Sequence, residues 1–503
     1  GLCIACSFGW PGSGGAVGSW VVFDELGPIL FSQFVVIAAL ALVGAAVAGR
    51  LSLPGWVGGL IVGLLLAPGL AGQLLPGLYD PIFVGGQAEQ RAIDERRAHN
   101  QDELEGLRST GVTPTAIEET RAVMQPEMDA LEADLAATHA RYHESRRSLL
   151  HGLLLAALAA AGAVTHARLA RQTLVDAVPV ALMTIVVVAV GAAIGATVLG
   201  RMQPGNAGTL WFAGMMVGCF AAAAPLPRVI GRHLNHQTDD PALNDRPALA
   251  EATGLMLAAL AWTMIALLQP SAMAGGEDEG LRLGVGLAAG IVVLVGLLVP
   301  LFGVKPLVEF AVQRGRAAGA IDTAVVLTAI VFAWLVSRPT GAIAPLVAWL
   351  VGLVLGARLV PSASEASAVG PTVAERVLAI VAPIAAAFIG MATPLVDAFD
   401  LWLVLVVAIV AGDIKATGLM LGSRLMAGRR WIEGLALGTA GAAGGIVPLG
   451  IAWTLYAGGM IDAALFVALV VAVGLGGLLA GPLLAVVARM QATMQEGTSA
   501  RRH

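Results

Sequence analysis

Apolar runs of about 20 residues recur along almost the whole chain, and they limit the possible fold more than any other feature. Roughly 20 helical residues cross a hydrocarbon layer about 30 Å thick, so each run is long enough to span a bilayer. The runs contain Gly and Ala throughout and lack the period-two alternation of a barrel strand, and only helices satisfy such backbones in lipid. Charged residues are 13% of the 503, against about 25% in a soluble domain, so water is excluded as the main solvent. The expectation is an all-α polytopic membrane protein. Nucleic-acid binding has no support in the charge pattern, and no nucleophile/base constellation or phosphate-cradling loop suggests an enzyme. Cys3 and Cys6 form one CxxC without a second pair, and Cys219 sits in an apolar run, so neither a metal nor a cofactor is expected.

Breaks at charged, Pro and Gly residues divide the runs into about 13 transmembrane helices, at 28–49, 54–72, 149–165, 172–199, 208–225, 247–269, 283–304, 318–337, 342–360, 377–394, 399–422, 431–457 and 463–488. With the N-terminus outside, seventeen Lys and Arg fall on the cytoplasmic side. Only Arg201, Arg282 and Arg338 fall in short outer loops. Such retention of positive charge orients a multi-pass protein in a bacterial-type inner (plasma) membrane. It gives an extracytoplasmic N-terminal segment 1–27, spans 1–2 within 28–84, an extracytoplasmic insertion 85–148, spans 3–13 within 149–488, and a cytoplasmic tail 489–503.

The insertion holds 13 acids and 8 Arg, a net charge of -5 that equals the imbalance of the whole chain. Gly111, Thr113 and Pro114 supply a turn, and Met124, Met128, Leu131, Leu135 and Tyr142 form a stripe at helical spacing after it. This predicts a helical hairpin of coiled-coil type, with a second arm starting near Thr113, a capping box from Thr115 and Glu118, and a kink or delayed start at Pro126. The first arm has few apolar residues, chiefly Ile93, Leu104 and Leu107. The stripe therefore has two readings, a self-packed pair or a docking face for another chain.

Leu51-Ser52-Leu53-Pro54 leads into the run GGLIVGLLLAPGL at 58–70. AAAAPLPRVIGRHL follows at 221–234 and PIAAAFIGM at 383–391, and Lys415, Arg424, Glu433 and Gly438 stand in fixed order between Gly412 and Gly450. Together these resemble the second cation/proton antiporter family, whose membrane domain is sodium/hydrogen exchanger-like. The resemblance implies an inverted repeat with two discontinuous helices crossing near mid-membrane. The broken segments would then be Ala223, Ala224 and Pro225 in the fifth span and Gly441, Gly444 and Gly445 in the twelfth. Such glycines also simply let membrane helices approach closely. The 85–148 insertion has no counterpart in the usual family pattern.

An ionisable group inside the bilayer is a functional candidate by default. Lys415 and Asp413 lie well inside span eleven, and Lys415 matches the family's membrane lysine. The resemblance implies an acidic pair in the sixth span, but this chain reads Ala252-Thr253-Gly254-Leu255-Met256 there, with Glu251 the nearest carboxylate. Ala223 replaces the family's threonine, and Gly444-Gly445-Ile446 its Arg-Gly-Glu. His151, Asp176, Asp322, Asp397, Asp400 and Asp462 lie at span ends, where interfacial placement is expected. The resemblance implies exchange of a monovalent cation, Na+ or K+, against H+. The alternative is a transport-inactive scaffold, a homodimer or subunit of a larger membrane complex, that binds a partner through the hairpin.

Overall fold

The computed structural model describes residues 23–79, 83, 87–110, 113–166, 171–201, 206–223, 246–273, 331, 344–356 and 373–500. The expected spans 283–304 and 318–337, Cys3, Cys6, Ala224, Pro225, Asp322 and most of segment 1–27 lie outside them. Every regular element among the described residues is helical. Among the described residues, seven helices are long and apolar enough to cross a membrane, or eight if a bent pair near the C-terminus counts as one crossing. The chain is thus an all-α, multi-pass membrane protein. By backbone packing it divides into two units, Gly1–Val36 with Leu70–His151, and Ile37–Gly69 with Gly152–His503.

The first unit contains the insertion. Helix α4 (Gln87–Ser109) and the start of α5 (Pro114–His166) are its two arms, after α1 (Phe23–Arg50), α2 (Gly55–Leu65) and the single turn α3 (Pro76–Tyr79). Thr138 Oγ1 donates to Glu89, while the ion pairs Arg96–Glu127 and Arg97–Glu132 join later residues of the first arm to earlier residues of the second, so the arms run antiparallel. Their facing residues repeat at three and four: Ile93, Arg96 and Asn100 on α4, and Met128, Leu131, Leu135 and Thr138 on α5. Ile93 is 2% exposed. Thr113 precedes the helix, with Pro114 in the first helical position, where its missing N–H costs nothing. Thr115 lies inside α5 and its hydroxyl donates to that of Thr113, in place of the expected capping box. Pro126 sits within the unbroken helix.

In the second unit, small residues set the packing. Gly55, Gly59 and Gly63 line one face of α2, against α10 (Val373–Met391). A Cβ on Gly59 would overlap the carbonyl of Pro383, and one on Gly63 that of Ala387. Without a hydrophobic gain between helices in lipid, such close backbone approach is what holds them. The run expected as one span at 54–72 is interrupted after Leu65, and a π-helical turn follows at Pro68–Gly72. Helix α6 (Arg171–Val198) packs on a span assembled from α11 (Leu401–Ile409), a π-helical turn (Val410–Ile414) and α12 (Lys415–Leu425). Gly191 of α6 faces Ile414, and Gly418 and Gly422 of α12 face Thr184 and Val180.

The other helices of this unit are α7 (Asn206–Phe220), α8 (Arg246–Met273), α9 (Ala344–Gly356), α13 (Trp431–Ala442), α14 (Ile446–Ala457) and α15 (Ala463–Ala500). Two carboxylates at span ends are helix caps. Asp400 accepts from the backbone N–H groups of Trp402 and Leu403, and Asp462 from that of Leu465. Asp462 also accepts from Trp211 Nε1 and pairs with Arg201.

Candidate ion site where a helix end meets a broken helix

Helix α7 ends at Phe220, and Ala221, Ala222 and Ala223 continue as non-helical, buried backbone. A helix that stops inside a membrane leaves its last carbonyls without N–H partners and carries partial negative charge there. One of these carbonyls is satisfied from another span: Lys415 Nζ donates to Ala221 O at 2.9 Å. Lys415 is 4% exposed. Its position follows from the sequence locally, because α12 begins at Lys415 with the side chain on the face toward α7, while Gly418 and Gly422 let α12 close on α6.

The second break lies between α13 and α14, which meet at a bend of 49°. Ala443, Gly444 and Gly445 form the non-helical joint, with Gly445 extended. Pro448 falls in the first turn of α14, where a missing N–H is tolerated. The two breaks meet. A Cβ on Gly445 would stand 2.9 Å from Ala223 Cβ, and one on Gly444 would overlap the carbonyl of Val473 in α15. Gly441 is still helical, in α13, and faces the side chain of Leu419.

The structure thus brings together Lys415, Ala221, Ala223, Gly444 and Gly445. Asp413 is elsewhere, with an exposed side chain in the π-helical turn, on the far side of the span from Lys415. Glu251 is in α8, 5% exposed, within two turns of the start of that helix. The α8 residues after it are apolar or self-bonded: Ala252 and Leu255 are buried, and the Thr253 hydroxyl donates to the carbonyl of Leu249. Among the described residues, no group of three or more His, Cys, Asp or Glu could hold a metal. In the hairpin, Met124, Met128, Leu131 and Leu135 are half-buried and Tyr142 is buried, on the face whose Thr138 bonds Glu89 of the first arm.

Trp56 is the residue that sequence reasoning passed over. Its ring lies against Gly444 and Gly477, and Nε1 is buried without a hydrogen-bond partner among the described residues. The one signal for it is an aromatic side chain set among the glycines of α2.

No protein-family model matches the chain, and no curated protein does. Among solved structures, it is similar to the sodium proton antiporter MjNhaP1 from Methanocaldococcus jannaschii, with a TM-score of 0.52 at 15% identity, covering 93% of this chain and 99% of that one. The end of α7 and the joint at Gly445 lie within a chain-long likeness, and the protein has the cation/proton antiporter fold.

Proposed function

We propose that the chain is a secondary transporter that exchanges a monovalent cation, Na+ or K+, for a proton by alternating access across thirteen spans, with its N-terminus and hairpin extracytoplasmic and its C-terminus cytoplasmic. The observation that carries this reading is the Lys415 ammonium at the crossing, bonded to the broken end of α7. A buried charge at membrane depth is costly and is retained where it serves an ion path. In this reading Lys415 balances the carbonyl end of α7, and the N-terminal end of α14 supplies the opposite partial charge at the same crossing. Glu251 is the carboxylate that takes proton or cation in turn, from a position nearer the helix end than the acidic pair implied by the family resemblance.

A second reading has support of its own. The α8 stretch Ala252–Met256 is without a carboxylate, and Ala223, Gly444 and Gly445 are neutral and small. These features favour a transport-inactive antiporter fold acting as a homodimer or as a subunit of a membrane complex. Proton flux in proteoliposomes driven by sodium or potassium gradients separates the two. The transporter reading expects cation-driven flux that is lost in Lys415→Ala and Glu251→Gln. Flux unchanged in both variants removes the site assignment, and no flux in the unaltered protein favours the scaffold.

A further inference from the structure

The span Leu401–Leu425 has Asp413 as its middle residue. The Asp413 side chain is exposed, in line with Trp402, Leu405 and Ile409, which are 72%, 43% and 49% exposed and recur at helical spacing. Beside it, a Cβ on Gly412 would meet nothing within 4 Å. The opposite side of the span is occupied, because Lys415 reaches α7 and Ile414 and Gly418 pack on α6. Among the described residues, Asp413 therefore stands on an uncovered face of the span, midway along it. From the middle of a hydrocarbon layer about 30 Å thick the interface is about 15 Å away, beyond the reach of so short a side chain. Bare lipid is a poor surrounding for a carboxylate there, and such residues usually meet an opposite charge.

We propose that this face is an intramembrane docking surface for a partner transmembrane helix carrying a lysine or arginine near mid-bilayer. Charge complementarity selects the occupant. A second copy using the same face would set Asp413 against Asp413 at equal depth, since a two-fold contact pairs identical patches. Lys415 is held by Ala221 and does not serve. The apolar residues around Asp413 supply the packing surface, and the carboxylate supplies register and selectivity, since a helix without a cation leaves it unpaired.

The test uses the full chain in proteoliposomes. Cys3, Cys6 and Cys219 are replaced by Ala, and a donor fluorophore is placed on Phe399→Cys. Energy transfer is measured to an acceptor-labelled Leu/Ala helix of about 20 residues with one central Lys, and to the same helix with Leu there. The Lys helix is expected to associate about threefold to tenfold more strongly. Asp413→Asn abolishes that preference, and Asp176→Asn, at the start of the α6 span, leaves it intact. Equal association of the two helices, or a preference that survives Asp413→Asn, overturns the proposal. So does transfer between two copies of the chain that the Lys helix cannot displace, or an intrachain crosslink from Ile409→Cys showing that the same chain covers the face.

Discussion

Lys415 and Ala221 are 194 residues apart in sequence, and the ammonium of one donates to the carbonyl of the other at 2.9 Å. The bond ties the end of α7 to the start of α12. Lys415→Met leaves the Ala221 carbonyl buried without its donor, at an expected cost of about 1–3 kcal/mol. The thermal midpoint of the purified protein in detergent should fall accordingly. Lys415→Arg keeps the charge and should recover part of the loss.

Gly444 tests whether the second break is held by close packing. Gly444→Ala puts a methyl group into the carbonyl of Val473 as well as against Trp56. Overpacking of this kind costs about 1–3 kcal/mol. Trp56→Phe should not rescue it, because the nearest obstacle is backbone. Gly49→Ala meets nothing within 4 Å and should leave the thermal midpoint unchanged.

The hairpin separates apolar burial from surface charge. Ile93→Ala should cost about 2 kcal/mol or more. Arg97→Ala removes a 3.6 Å ion pair whose partners are both 56% exposed, so it should cost at most about 1 kcal/mol. Amide hydrogen exchange along α4 in the full chain reads both. Equal acceleration by the two variants would contradict the packing described for this arm.

Acid should loosen the same hairpin. Partial burial, with Arg146 and His139 nearby, pushes the His143 imidazole below its ordinary range. The folded arm then binds less proton than the unfolded one, so stability rises with pH. The contribution is complete above the ordinary histidine value, about 6.5, and fades as pH falls below it. Protection factors of α4 amides, taken relative to the intrinsic exchange rate at each pH, should therefore fall between about pH 7.5 and 5. In His143→Gln the slope should flatten.

The helical, membrane-crossing character of the chain was legible in the sequence, since long apolar runs leave the backbone no alternative to helix in lipid. The sequence also marked Lys415, a lone ammonium within such a run. It could not mark Ala221, because a backbone carbonyl has no signature in the side-chain code and becomes an acceptor only where the helix stops. Asp413 and Lys415 looked alike as buried charges, although two residues on a helix point about 200° apart. One faces α7 and the other faces outward. In the hairpin, the first arm looked like a poor partner because its apolar residues are few, chiefly Ile93, Leu104 and Leu107. Ile93, Arg96 and Asn100, at three-and-four spacing, still form a packing face, with Ile93 the most buried of them.

The π-helical turn Val410–Ile414 adds one surplus residue to a crossing that is otherwise ordinary helix. Its two ends consequently keep separate phases, α11 set by α15 and α12 set by α6 and α13. Excising that surplus would close the rod to regular helix with both ends still in their present phases, because the wide turn already absorbs one residue. A second deletion would find no slack and would turn everything beyond it by about 100°, carrying the ammonium off the end of α7 although no atom touching it had been changed.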